Sequence, residues 1–492
     1  MRKMVICLAL CFLMALFTFS IPAWDEDGSS VGEFKIKQIK TKGFTGQFIE
    51  PLAWVRVDDG YSLMIVEDYD EWHDLDSVRS FKLTAKDRAR KSTVIYDAGG
   101  GKVRDAAGFW FSGNAPFIGS ALIILAVRPE GSSGLIQIVT LSLDGSGKRI
   151  GDPRVVAEFT PPADSYFNEV WLSAGRRELT VGIIVGLGVY ETTDTFNGSR
   201  SCKAYCFELN ADGTLRTPAP VKIGLPNGGD YRHFRPYEML WDGSKWMLPA
   251  VMTMLKFVEY AESKDYSDIT GYQLYTLTAT PSGEGDSFKF KTKRITRAKS
   301  IQYWSSFPTP VLLPTPAATA PGAAEAVDTM TLIYTLAKPK GSKTSKHHAK
   351  LFSYYVQELN ADGSRKGKKQ KAQPNKWVRQ FTNETGLIWE TTQSYYSNAF
   401  CGSDGNIYIA HARGASFYRT SDKTYLYEFQ LDYYSLNPQT LVGELKASSN
   451  YQGKWLNGRP LVRRFGSVVS VINQLRDEKQ GVQEDNIYIS RF

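Results

Sequence analysis

Charged and amide side chains recur in this chain at one kind of place, the opening of an alternating apolar run. Glu50 stands before Pro51, Arg235 before Pro236, Phe307 before Pro308 and Arg459 before Pro460, with Asn168, Glu169 and Asn398 at comparable places. Gathered into one ring, such groups would hold a polar ligand by charge and hydrogen bonds. They would equally line a water-filled channel that binds nothing specific. Glu50 and Glu169 are of the type that glycosidases pair as proton donor and partner. His233, flanked by Tyr231 and Arg235, titrates near neutral pH and would serve as acid or base, although a hydrogen-bonded structural histidine has the same surroundings. Trp72, Tyr231, Trp304, Trp389, Tyr396 and Tyr418 offer flat apolar area with polar tips, suited to sugar rings or protein hot spots. The competing role for several of them is as wedges in the core.

Other chemistry is excluded more firmly. The stretch EDYDEWHDLDS, residues 67–77, is rich in carboxylates but lacks the D-x-[DN]-x-[DN]-G spacing of a calcium loop, and a solvated acidic loop explains it. Cys202 and Cys206 lie four apart in an alternating run, where an extended backbone separates them by about 13 Å, beyond disulfide reach. No His or Cys nearby completes a zinc set. With Cys401 they are expected to be small buried residues. No Gly-rich phosphate loop, C-x-x-C-H or G-x-S-x-G elbow is present, so no cofactor is expected and no metal. His347 and His348 sit in a lysine-rich loop that needs no partner, and Asn197 and Asn383 open glycosylation patterns that matter only in a host that uses them.

The elements that must position these residues are counted by a repeat. The six residues ELNADG occur at 208–213 and again at 358–363. Around each copy an alternating run meets a tight turn and a second run follows, which is a hairpin signal. Similar hairpins surround Leu83, Leu143, Leu277 and Leu431, so that Leu83, Leu143, Leu209, Leu277, Leu359 and Leu431 step by 60, 66, 68, 82 and 72 residues. Between these marks a second series of turns, at 58–60, 242–244 and 402–405, joins another pair of strands. Each unit therefore holds four strands, A to D, with tight A–B and C–D turns.

Four-stranded units at this period resemble the β-propeller superfamily across the whole chain beyond residue 23, at the level of architecture and of no particular family. Neither the Gly-His and Trp-Asp signature at about forty residues nor the kelch double glycine at about fifty is present, and the S-x-D-x-G-x-x-W box and arginine triad of sialidase-like propellers are missing. Residues 461–465, 467–475 and 486–492 supply strands A, B and C of a last unit, and 33–40 (EFKIKQIK) is a strand left over at the start. Pairing the two closes an all-β ring of seven blades and hides the edges an open sheet would expose. A pair of β-sandwiches would need a central linker. The one linker-like stretch, residues 314–328, falls between an A and a B strand and reads as a flexible excursion from blade 5.

In such a ring the A–B and C–D turns share one face and the B–C and D–A connections the other. The second set is long, varied and aromatic-rich, notably 67–77, 189–202, 258–272, 337–350, 412–424, 224–235 and 372–397. Binding is expected on that face. Residues 1–23 have the basic head, apolar stretch and small terminal residue of a secretory signal peptide, with cleavage after Ala23. The remaining 24–492 form a single domain with 57 basic and 51 acidic side chains, a mild net charge of +6 that does not suit a nucleic-acid binder. Later apolar stretches are strand-sized and too short to span a membrane. The sequence thus predicts a secreted or periplasmic monomer that binds a glycan, peptide or protein partner. Carbohydrate hydrolysis and a structural role in an extracellular assembly are the alternatives.

Overall fold

The computed structural model describes residues 35–39, 48–57, 62–70, 75–84, 89, 91–111, 119–132, 134–191, 201–226, 233–257, 267–282, 287–297, 310–314, 330–340, 349–372, 387–401, 405–419, 424–452, 454–456, 461–465, 468–479 and 482–491. Among them every regular element but one short turn of 3₁₀-helix is a β-strand. After β1 (Lys35–Gln38), blade 1 comprises β2 (Phe48–Arg56), β3 (Ser62–Asp70), β4 (Leu75–Leu83) and β5 (Thr93–Asp97). Blade 2 follows with β6 (Lys102–Phe111), β7 (Ser120–Arg128), β8 (Ile136–Asp144) and β9 (Arg149–Phe159). Blade 3 is β10 (Ser165–Arg177), β11 (Thr180–Glu191), β12 (Ser201–Asn210) and β13 (Val221–Lys222). In blade 4 the inner strand is split into β14 (His233–Pro236) and β15 (Leu240–Trp241), before β16 (Trp246–Phe257), β17 (Ser267–Ser282) and β18 (Ser287–Arg297).

Blade 5 contains β19 (Val311–Pro314), β20 (Met330–Lys340), β21 (Ala349–Leu359) and β22 (Gln370–Lys371), and blade 6 contains β23 (Leu387–Cys401), β24 (Ile407–Arg419), β25 (Thr424–Leu436) and β26 (Gly443–Gln452). Blade 7 is built from β27 (Lys454–Leu456), β28 (Leu461–Phe465), β29 (Val468–Lys479) and β30 (Val482–Arg491). Its outer strand is β1, so seven antiparallel sheets form the ring. β1 pairs with β30 from Lys35↔Arg491 to Gln38↔Tyr488. The Gln38 amide donates to Asn486 Oδ1 at 2.8 Å, and Ile39 N–H to the Ile487 carbonyl at 2.9 Å. The protein is a seven-bladed β-propeller, as the repeat implied.

Its core lies in the seams between blades. Seven apolar clusters each join two neighbouring sheets, the last of them uniting Trp54, Met64 and Phe81 of blade 1 with Ile472, Ile487 and Ile489 of blade 7. Second strands are covered on both sides, which is why β7 (SALIILAVR) is almost uninterrupted apolar sequence and buried from Ser120 to Val127. All six leucines of the repeat are buried on third strands. Leu431 is out of register, though. It pairs with Ala412, whereas Leu436 pairs with Ile407 at the strand opening, as Leu359 does with Met330.

The repeated ELNADG now has a structural cause. In each copy the Asn N–H bonds to the carbonyl four residues on, Asn210 to Thr214 at 2.9 Å and Asn360 to Ser364 at 2.8 Å. The glycine takes φ +77° in Gly213 and +80° in Gly363, the left-handed region that favours glycine. Each glycine carbonyl then accepts a hydroxyl from the third strand of the preceding blade, Thr140 to Gly213 at 3.0 Å and Thr276 to Gly363 at 2.5 Å. Blade 2 repeats the contact with Gly147 and Ser80. Before blade 6, whose turn runs from Asn437 to Val442 instead, the corresponding third-strand residue is Val356, which has no hydroxyl. The turn and the hydroxyl are two halves of one latch between blades.

The connections of the long-loop face are shorter than the sequence implied. Asp70 pairs with Leu75 and Arg419 with Thr424, so most of 67–77 and 412–424 is strand. The excursion after Pro314 does fall between first and second strands of blade 5, with 315–329 outside the described residues.

Candidate functional site

Inner strands begin at the long-loop end of the ring, and three successive ones carry a bulge there. Pairing skips Leu52 between Pro51 and Ala53, Arg104 between Val103 and Asp105, and Asn168 between Phe167 and Glu169. A bulge leaves one residue out of the ladder and re-aims its side chain. Arg104 and Asn168 are exposed as a result.

Beside the first two bulges lies a buried acid pair. Continuing the alternation Leu63, Ile65 places Glu67 on the face of blade 1 that meets blade 2, and Asp76 joins it from β4. The two residues are 8% and 5% exposed. Asp76 Oδ2 accepts the Val103 N–H of blade 2 at 2.8 Å. Oδ1 is buried and has no hydrogen-bond partner among the described residues. Burial drives the Glu67 carboxyl well above the usual range, reinforced by the charges of Asp76 and Glu50 and by the hydrogen bond to Asp76, with Arg104 opposing. Burial also raises Asp76, against the Val103 N–H, the Glu67 hydrogen bond, Arg104 and Lys102. The pair thus retains a proton under conditions where isolated carboxyls are ionised. Glu50 stands directly across the ladder from Glu67, where opposed Cβ atoms are about 5 Å apart. The neighbouring Arg104 guanidinium, lowered by partial desolvation although the residue reaches solvent, and held up by Glu67 and Asp76, stays charged at neutral pH. Asp68 takes the opposite face, in an ion pair with Arg79 at 2.7 Å.

The next seams carry charge at the same level. Arg128 donates to the Phe167 carbonyl of blade 3, and Asp105 accepts the Leu172 N–H at 2.7 Å. At the seam of blades 3 and 4 the Arg235 guanidinium lies 3.8 Å above the Trp171 ring, a cation–π contact. Glu169 faces this seam too, where its charge adds to burial in pushing the Cys202 thiol up, against a backbone hydrogen bond at Phe234. Cys202 and Cys206 are buried thiols in no disulfide, and both are inert as nucleophiles.

Glu50 stands across the ladder from Glu67, and Glu169 lies at the seam with Cys202. Asn168 and Arg235 line the openings of β10 and β14. His233 is on β14, and Asn398 and Tyr396 are on β23, with Tyr418 on β24. Trp72, Tyr231, Trp304, Phe307, Pro308, Arg459 and Pro460 lie outside the described residues, as does the region 1–34. Glu67, Asp76, Arg104 and Arg128 were missed by sequence. The period-two phase from Leu63 was the signal that could have found Glu67. Among the described residues no three His, Cys, Asp or Glu side chains gather as a metal site, and no helix is long and apolar enough to cross a membrane.

No protein-family model and no curated protein matches this chain. Solved structures similar to it include the parainfluenza virus 5 hemagglutinin-neuraminidase ectodomain, at TM-score 0.39 and 8% identity over 93% of this chain and 84% of that one. The α-L-arabinofuranosidase of Fusarium graminearum gives TM-score 0.35 and 10% identity over 86% and 98% of the two chains. Trypanosoma rangeli sialidase gives 0.39 and 11% over 83% of this chain and 56% of that chain. Likeness at this level carries no inference about what the present chain binds or does.

Proposed function

We propose that the chain is an exported propeller that binds a polar ligand, a glycan, peptide or protein segment, at the long-loop opening of blades 1 to 4. The observation that supports it most is the proton-holding pair Glu67 and Asp76 beside Glu50 and Arg104. Burying carboxyls is costly, and groups perturbed by burial together with specific charge partners concentrate at functional sites. Arg235 on Trp171 extends the same polar opening to blade 4. The signal-like layout of residues 1–23 supports export to the periplasm or medium, and mass analysis of the secreted protein should find it beginning at Trp24.

The test is a glycan and peptide array probed with the wild type and with Glu50→Gln/Arg104→Ala, after both are shown to melt alike. Binding lost in the variant supports the site. Binding that persists moves recognition elsewhere, and no binding by the wild type to any glycan or peptide ends this reading. A second reading, carbohydrate hydrolysis, is favoured by the protonated Glu67 opposite Glu50, since glycosidases need one carboxyl of raised pKa near another. Sugar released by the wild type and not by Glu67→Gln would establish it.

A further inference from the structure

A second candidate surface lies on the outer rim of blades 4 and 5, away from the opening just described. Segments 287–297 and 358–371 contain ten Lys and Arg and two acidic residues. Their net +8 equals the formal charge of the whole chain, so all other residues sum to zero. The corresponding segments two blades earlier, 149–159 and 208–222, hold four basic and four acidic residues and no net charge. They form the same outer strand and the same latched turn, so the architecture does not require the charge.

The lysines occupy both walls of the rim. Phe288 and Phe290 of β18 face blade 3, which by alternation turns Lys289, Lys291 and Lys293 towards blade 5. Lys293 reaches across to Asp362 at 3.4 Å. From the blade 5 side, Lys369 covers the Tyr355 ring at 4.4 Å, and Tyr355 belongs to the cluster that joins blades 4 and 5. Lys289, Lys291, Lys366, Lys368, Lys369 and Lys371 are exposed. The two acids are already engaged, Asp362 with Lys293 and Glu358 with Lys366 at 3.4 Å.

We infer that the outer rim between blades 4 and 5 binds an anionic polysaccharide, a linear chain bearing carboxylate or sulfate groups. Alternate lysines on β18 are about 7 Å apart, so they present a row of charges to an extended chain. Single-stranded nucleic acid would need exposed rings for its bases. Here Phe288 is turned to blade 3 and Tyr355 is buried beneath Lys369. A membrane surface is disfavoured because the charges line two facing walls, with no exposed large apolar side chain beside them among the described residues.

The experiment measures binding of the purified protein to heparin and to polygalacturonate at physiological salt. It uses the wild type, a rim variant (Lys289→Gln/Lys291→Gln/Lys368→Gln/Lys371→Gln) and a control of equal net charge (Lys35→Gln/Lys37→Gln/Lys148→Gln/Lys222→Gln). Exposed substitutions of this kind leave folding intact, which circular dichroism melting verifies. The rim variant should lose affinity by about tenfold for at least one polysaccharide, while the control changes by about twofold or less. Equal losses in the two variants would reduce the effect to net charge and overturn the proposal. So would absence of wild-type binding, or tighter binding to oligothymidylate or to phosphatidylserine vesicles than to either polysaccharide.

Discussion

The two ELNADG turns share their backbone hydrogen bonds and left-handed glycine and differ in the fate of the glutamate side chain. In blade 3 Glu208 is 0% exposed, receives Arg177 at 2.9 Å and the Trp246 indole N–H at 2.8 Å, and lies 3.5 Å from Arg216. Trp241 caps the Arg177 guanidinium at 4.0 Å. In blade 5 the Glu358 side chain is 51% exposed and meets Lys366 at 3.4 Å. The anchor in blade 3 is supplied by neighbouring strands. β10 runs thirteen residues to Arg177 and turns tightly, Arg177 pairing with Thr180, and β16 of blade 4 opens on Trp246, where β24 of blade 6 opens on Ile407. Local sequence sets the turn, and the neighbouring strand decides whether its glutamate becomes an anchor.

The sharpest way to break that contrast is Glu208→Ala. It should cost about 3–5 kcal/mol by stranding Arg177 and the Trp246 N–H, against about 0.5 kcal/mol or less for Glu358→Ala, both measured by urea unfolding. Similar costs would mean that the anchoring environment is unimportant. Gly213→Ala and Gly363→Ala should instead behave alike, each losing about 1–3 kcal/mol from left-handed strain and crowding. An added Cβ would stand 2.9 Å from the Thr140 or Thr276 hydroxyl oxygen. Thr140→Val and Thr276→Val remove the latch bond, along with a longer contact of 3.5 Å to the Arg154 or Lys293 carbonyl, and should each cost about 1 kcal/mol.

The smallest effects are in pH. Burial raises the Glu67 carboxyl, so the folded protein binds its proton more tightly than the unfolded chain. Stability from this group is complete below the unfolded value of about 4.3 and is lost as pH rises through the folded one. Thermal melting of Glu67→Gln should lack that decline. Asp362 has the opposite sign. Hydrogen bonds from Ser364 hold its carboxyl at about 2, so its contribution is present above an unfolded value of about 3.9 and disappears as pH falls towards the folded one. Asp362→Asn should flatten the acid limb in the same scans.

The propeller was legible because its signals are local. Buried leucines, paired turns and a strand left over at the start to complete a last unit of three depend on two or three residues at a time. Leu431 misled only in register, since Leu436 five residues on satisfies the same apolar pattern. What escaped was every feature made by the next blade. Glu67, Asp68 and Asp76 read as a solvated acidic loop because carboxylates usually are, and the groups that accommodate them, Val103 N–H and Arg104, arrive from a different sheet, while Arg79 serves Asp68 from a neighbouring strand. The bulges at Leu52, Arg104 and Asn168 have no glycine or proline at the unpaired residue to announce them. Pro51 beside Leu52 is the nearest thing to a warning.

Closure of the ring by β1 and β30 also constrains when the molecule can finish folding. Gln38 and Tyr488 are partners separated by 450 positions, one of the longest contacts the chain can make. At about 5–20 residues per second of synthesis, the first strand waits about 20–90 s for its mate. Through that interval Trp54, Met64 and Phe81 have no blade 7 to cover them. The apolar flank of blade 1 is therefore a surface in need of protection in the nascent chain, and β30 acts as the clasp that ends the exposure.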